Sequence, residues 1–425
     1  MDYFNYKKNI LYAENVDLNI LAKKFKTPLY VYSLRTMTEH FNKINSAFSE
    51  MEKLICYSVK ANSNIAILNE MKKLGSGFDI VSGGELYRVL KIGADPSKIV
   101  YAGVGKTKEE IDYAIKSNIL MFNVESMNEL KLINLEAKKF KKKIKVALRV
   151  NPDVDALTHD YVTTGKKENK FGIDIVLALS IFRTAKKLKN IDIKGIHIHI
   201  GSQITSVIPY IDAIKKISSF ITGLKNQEIF IDYLNIGGGL GIIYNEENPA
   251  TADEFAYAIK PYILNLNLKL ILEPGRFIVG NAGILLTSVI YNKKGIKKNF
   301  LIVDAGMNDL IRPSLYGAYH KIIPVNLNNK VKEVLYDVVG PICESGDFLG
   351  KDRHLPEIKE GDLLAVRSTG AYGFSMSSNY NSRLRAAEVL VDNDKYYLIR
   401  EREKYEDLIR IEKIVKKDAW NEKIH

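Results

Sequence analysis

A single lysine, Lys60 in Tyr57-Ser58-Val59-Lys60-Ala61-Asn62, follows the apolar run Leu54-Ile55-Cys56-Tyr57 and precedes a helix-like stretch. A lysine at a strand end facing a pocket loses its proton on desolvation and becomes an amine nucleophile toward a carbonyl. Most lysines are solvated surface charges, so Lys60 acquires meaning only from its company. That company is Asp79-Ile80-Val81-Ser82-Gly83-Gly84, Arg149-Val150-Asn151-Pro152, His197-Ile198-His199-Ile200-Gly201-Ser202, Gly237-Gly238-Gly239 and Glu273-Pro274-Gly275-Arg276. Successive glycines with free N–H groups form an anion-binding nest, to which Ser202 adds a hydroxyl; the same three glycines also read as a plain flexible turn. His197 and His199 alternate on one predicted strand face, as satisfied interior histidines do, and a metal pair there lacks a nearby carboxylate triad. Glu273 reads as a lysine's partner or, at a pocket mouth, as an ionised carboxylate that keeps a ring nitrogen protonated.

These groups need elements to carry them. Apolar runs near 54–58, 78–82, 98–102, 120–124, 144–150, 193–200, 231–236 and 268–273 predict strands. Helical patterns at Ile65–Leu74, Gly84–Ile92, Lys108–Lys116, Met127–Phe140, Ile175–Leu188 and Ile208–Leu224 fill the gaps, and Asp253–Leu264 fits the last one. Eight alternating units predict an α/β fold, a (β/α)8 TIM-like barrel, with a doubly wound open sheet as the alternative. The chemistry-bearing turns then all fall at strand C-termini, on one mouth. Beyond Gly280 the rhythm changes to short β-branched runs: Ile284–Tyr291, Asn299–Asp304, Ile322–Asn326, Val331–Val339, Leu363–Arg367 and Glu388–Val391. They predict a mostly antiparallel β-sandwich or β-barrel domain, completed by the N-terminal strand Leu29-Tyr30-Val31-Tyr32. The expected division is 34–280 for the barrel, with 1–33 and 281–425 forming the β domain.

Composition narrows the class. With 425 residues, 46% hydrophobic, the chain can bury a large core in two domains. The net charge of +12 is diffuse, as in Lys138-Lys139-Phe140-Lys141-Lys142-Lys143, and no zinc finger, basic zipper or aromatic RNA-binding signature accompanies it. A solvated lysine-rich surface is expected, with no nucleic-acid partner. No apolar run approaches the ~18 residues of a membrane span, and the N-terminus lacks signal-peptide order. Two cysteines, Cys56 and Cys343, are too few for a disulfide framework, which points to a reducing compartment, the cytoplasm.

Taken together, Tyr-Ser-Val-Lys60-Ala-Asn, His199-Ile-Gly-Ser-Gln, the triple glycine and Glu273-Pro-Gly-Arg closely resemble the fold-type III pyridoxal-phosphate decarboxylases. Gly340-Pro341-Ile342-Cys343-Glu344-Ser345-Gly346-Asp347 resembles the diaminopimelate branch, whereas ornithine-type relatives carry an aspartate where Glu344 stands. The resemblance runs from about Asn19 to Val391. It implies that Lys60 carries pyridoxal 5'-phosphate covalently, that Glu273 binds the pyridine nitrogen and that His199 stacks on the ring. It implies further that Asp79 orients Lys60, that Ser202, Gly237 to Gly239, Pro274, Gly275 and Arg276 surround the phosphate or the adjoining site, and that Tyr372 approaches cofactor and substrate from the β domain. Arg276, Arg312 and Tyr316 would hold the distal carboxylate of meso-diaminopimelate and Glu344 its distal ammonium, with Cys343 or Lys60 as proton donor. The implied reaction is decarboxylation to L-lysine and carbon dioxide, the last step of lysine biosynthesis, in a homodimer where Cys343 and Glu344 reach the neighbouring site. Thr164-Gly165…Lys170-Phe171-Gly172 resembles the family's mobile loop. An alanine-racemase-like enzyme would not need the Cys-Glu-Ser-Gly-Asp run, and a barrel-only cofactor-binding protein would not need the β domain.

Overall fold

Eight strands run parallel and close on themselves: β1 (Lys53–Ser58), β2 (Gly77–Ile80), β3 (Ile99–Tyr101), β4 (Met121–Val124), β5 (Ile144–Asn151), β6 (Ile191–His197), β7 (Tyr233–Asn235) and β8 (Lys269–Leu272). The structure, a computed structural model, describes residues 2–155, 170–328 and 331–414. Each strand pairs with the next, β8 pairs with β1, and the pairing of β4 with β5 excludes the open doubly wound sheet. Ile173–Asp174 adds a short parallel pair outside β5.

The strands are short and apolar because helices cover them. Met127–Lys139 turns Leu130, Ile133 and Ala137 inward, and Ile208–Lys225 does so with Ile214, Ile217 and Ile221. Each fully buried leucine or isoleucine among them contributes about 1.5–3 kcal/mol relative to exposure. Helix starts are written into the connections. Ser82 accepts from Glu85 N, Ser126 accepts from Glu129 N, and Thr107 with Glu110 forms a complete capping box.

The second unit is a mixed, mostly antiparallel sheet. Gly283–Lys294 pairs antiparallel with Asn299–Val303, Leu363–Val366 and the N-terminal strand Leu29–Ser33. Leu29–Ser33 pairs in parallel with Ala387–Asp392 on its other side, so it is a central strand of the sheet. Its alternation is used on both faces. Tyr30 and Tyr32 join the core shared with the barrel, whereas Leu29 and Val31 join a second core with Phe4, Leu11, Leu18, Ile284 and Val389. Tyr30 donates to the Asp309 carbonyl at 2.7 Å and Tyr32 to Glu388 Oε1 at 2.7 Å.

Elements that were not predicted include the hairpin Phe4–Lys7 with Ile10–Ala13, the helices Leu18–Phe25, Arg312–Tyr316 and Tyr405–Ile409, and the strands Phe348–Pro356 and Lys395–Arg400. Lys351, Asp352 and His354 break the alternation in Phe348–Pro356, and none of the six residues of Lys395–Arg400 is buried, so neither strand shows the apolar alternation on which a strand assignment depends. Strand β6 ends at His197 rather than near residue 200, because the chain turns out of the ladder there. His199 therefore lies past the strand, and the two histidines do not share one strand face.

Candidate active site

Lys60 sits in the short 3-10 turn Val59–Ala61 directly after β1, at the C-terminal mouth of the barrel. Its Nζ donates to Asp79 Oδ2 at 3.0 Å, at the end of β2, and Ser58 Oγ donates to the same oxygen at 2.6 Å. Burial works to lower the lysine's pKa, but Asp79, Tyr372 and Glu273 outweigh it and hold the pKa above its usual value. This corrects the expectation of an amine deprotonated by desolvation: with an ionised acid in contact, Lys60 keeps its proton in this state. Asp79 is fully buried; burial and Glu273 push its carboxyl up, while Lys60 and Ser58 pull it down. Its Oδ1 has no hydrogen-bond partner among the described residues.

Glu273 closes β8 and faces the same space. Asn123 of β4 and Asn235 of β7 donate to its Oε1 at 3.0 and 2.6 Å, and His197 Nε2 lies 3.3 Å from Oε2. Burial works to raise its pKa; His197, Lys60 and Asn235 win and hold it at about 2. It is an ionised carboxylate fixed by neighbours on three other strands; Lys60 acts on it across the cavity, and no lysine among the described residues forms an ion pair with it. His199 accepts at Nδ1 from Gly238 N, and burial with Arg149 and Lys60 nearby keeps the ring neutral by lowering its pKa well below the usual value.

The three glycines are demanded by sterics. A Cβ on Gly237 would meet His199 Nδ1 at 2.6 Å, and one on Gly238 would meet the Glu273 carbonyl oxygen at 2.2 Å. Gly237 and Gly239 also take φ of +68° and +98°. The expected anion nest is only partly available, because Gly237 N donates to Asn235 Oδ1 and Gly238 N to His199.

Arg276 opens the helical turn Arg276–Val279 and donates to Tyr244 Oη and, at 3.0 Å, to Ser202 Oγ. Arg312, on the turn Arg312–Tyr316, donates to His320 Nε2 at 3.0 Å. The two arginines are only 7% and 6% exposed, and neither has an acidic partner among the described residues. Tyr244 stands between them, its ring 5.8 Å from one guanidinium and 4.8 Å from the other. Tyr372 arrives from the β domain, with its N–H on the Ala61 carbonyl at 2.8 Å and its ring 4.9 Å from Arg276. Its φ of +58° is unusual for a bulky residue and marks a position fixed by its surroundings. Ser58, Lys60, His199, Ser202, Glu273, Pro274, Gly275, Arg276 and Tyr372 line one cavity.

Cys343 and Glu344 are not brought to it. They are exposed on a turn held by Asp347, whose carboxylate accepts from Met307 N and Ile342 N at 2.6 Å each, while Cys343 N donates to Asn381 Oδ1. Tyr316 is half-buried on the Arg312 turn. Of the loop, 156–169 lie outside the described residues; Phe171 lies under Arg149 at 4.9 Å, and Gly172 N donates to Glu125. Sequence reasoning missed Asn123, Asn235, Tyr244 and His320.

A family model described as the pyridoxal binding domain of pyridoxal-dependent decarboxylases matches residues 34–280. Diaminopimelate decarboxylase of Aquifex aeolicus is 52% identical over 96% of this chain and 96% of its own length. That of Vibrio cholerae is 50% identical over 98% of this chain and its full length. The crystal structure of Helicobacter pylori diaminopimelate decarboxylase complexed with L-lysine superposes with a TM-score of 0.90, at 43% identity over 93% of this chain and 99% of that one.

Proposed function

The chain belongs to the pyridoxal-dependent decarboxylases, in their diaminopimelate branch, and from that membership we propose that it converts meso-2,6-diaminopimelate to L-lysine and carbon dioxide, the last step of lysine biosynthesis. The observation that carries this reading is the pair of buried guanidiniums, Arg276 and Arg312, without acidic partners among the described residues. Burying a cation without an acidic partner costs several kcal/mol, so two such cations on either side of Tyr244 call for two anionic groups from a ligand.

The residues fit pyridoxal 5'-phosphate. Among the described residues, Arg276 Nε has no partner and lies beside Ser202 and the crowded glycine turn, which suits a phosphate, and Lys60 offers the only amine on the cavity wall; Glu273 is ionised. When bound, the cofactor supplies an electron sink for the pair left on carbon as carbon dioxide departs. Lys60 would be the attachment amine, and Asp79 holds its ammonium in place. Glu273, its charge set by Asn123, Asn235 and His197, would keep the proton on the pyridine nitrogen. His199, neutral and fixed by Gly238, would hold the cofactor ring, and Tyr372 with Gly275 would help hold its phosphate. Arg312, with Tyr316 and Arg276, takes the distal carboxylate through a fork a lysine could not reproduce. The bond to the reacting carboxylate breaks, its electrons stay on carbon, and a proton from Cys343 or Lys60 replaces it.

We take 34–280 as the cofactor-binding unit, and 1–33 with 281–425 as the unit bringing Arg312 and Tyr372. Exposed Cys343 and Glu344, on a rigidly built turn outside the cavity, support a homodimer in which a second copy supplies them. Free Cys56 and Cys343 suit the cytoplasm; among the described residues no helix is long and apolar enough to cross a membrane.

The test is product analysis of the cofactor-loaded protein with meso-diaminopimelate and with L-ornithine. L-Lysine and carbon dioxide from the first alone are expected. Turnover of ornithine alone overturns the reading of Arg312.

A further inference from the structure

His320 is fully buried beside Arg312, and no motif pointed to it. Its two ring nitrogens face partners that leave no choice of tautomer. Nδ1 lies 2.9 Å from the Arg367 carbonyl, which only accepts, so Nδ1 carries the hydrogen. Nε2 lies 3.0 Å from Arg312 Nη1, which only donates, so Nε2 is bare and the ring is neutral. Burial, together with the charge of Arg312, lowers its pKa to about 3, so the neutral form holds across the working range. The Tyr244 ring packs edge-on against the imidazole at 5.2 Å and lies 4.8 Å from the Arg312 guanidinium. Arg312 is thus gripped on one nitrogen by an uncharged acceptor and flanked by an aromatic ring. A carboxylate in the place of His320 would have consumed its charge; a neutral imidazole fixes the direction and leaves the charge for a ligand.

Resting on the reading of Arg312 as the distal-carboxylate clamp, we propose that His320 is a positioning residue that sets substrate specificity by aiming Arg312 at that carboxylate. The group recognised is the intact amino-acid head far from the reacting carbon, which substrate and product share. Loss of the grip weakens both ligands together and leaves the chemical step alone.

The experiment compares wild type, His320→Leu, His320→Gln and His320→Glu, each loaded with pyridoxal 5'-phosphate. Losing a hydrogen bond to a charged group predicts a rise of about 10- to 100-fold in KM for meso-diaminopimelate and in Ki for L-lysine in His320→Leu. kcat and the cofactor Kd are expected within about threefold of wild type, since neither depends on Arg312 aim. His320→Gln, whose amide can both donate to Arg367 and accept from Arg312, is expected to recover most of the affinity. His320→Glu keeps a bonded, filled site yet neutralises Arg312, so it should weaken both ligands even if the leucine variant fails to fold. In an Arg312→Met background, His320→Leu should add nothing further. Wild-type KM in the leucine or glutamate variant, or equal losses in kcat and cofactor affinity, would overturn the proposal. A wild-type protein that makes no lysine would instead bring down the reading beneath it.

Discussion

Glu273 holds a negative charge where burial alone would remove it. Two side-chain amides and an imidazole from three different strands, with Lys60 across the cavity, keep its pKa near 2. The charge is therefore a property of the barrel's closure, since β4, β6 and β7 must all be in register for their side chains to meet it. Glu273→Gln retains the volume and removes the charge. A fall in kcat of about 100-fold or more is expected, with KM changed little, as for loss of a preorganised electrostatic partner; a variant with wild-type kcat would refute this role. The asparagines were legible in principle. Asn123 in Met121-Phe122-Asn123-Val124 and Asn235 in Leu234-Asn235-Ile236 are polar residues inside otherwise apolar strands, and a polar residue there needs a partner. Tyr244 and His320 gave no such sign, because both occupy irregular segments where no periodicity defines inside and outside.

At the scale of elements, the glycine turn after β7 shows how backbone packing selects sequence. The chain at Gly238 passes so close to the end of β8 that a methyl group would strike the Glu273 carbonyl oxygen. Gly238→Ala is expected to cost about 1–3 kcal/mol of stability by overpacking and to weaken cofactor retention, seen together in thermal unfolding with and without added cofactor. Unchanged melting in both conditions would show the turn to be slack. The eight barrel strands and their helices were readable because buried parallel strands are continuous apolar runs between capped helices. The strand ends were less so: β6 stops at His197, Ile198 N still donates to the Asn235 carbonyl at the end of β7, and hydrophobicity continues through Ile198 and Ile200. Phe348–Pro356 and Lys395–Arg400 escaped because edge strands satisfy the ladder with one buried side at most, and charged residues are tolerated there.

For the whole molecule, Cys343 and Glu344 face outward from the cavity they resemble parts of, so completeness is expected from a second copy. Mixing Lys60→Ala with Cys343→Ala chains and allowing exchange should restore up to about a quarter of the wild-type site activity, as only hybrid dimers carry one whole site. Two inactive parents that remain inactive after proven exchange would exclude shared sites. The position of Leu29–Ser33 has a different consequence, for how the chain reaches its native form. All five residues are buried, and the strand's two neighbours begin about 250 and 360 residues later. During synthesis the strand leaves the ribosome with both edges bare and waits until nearly the whole chain has followed. Such long-range pairing slows folding and exposes an aromatic, β-branched edge meanwhile. A chain truncated after the barrel would keep that edge permanently, and should associate through it rather than persist as an independent barrel.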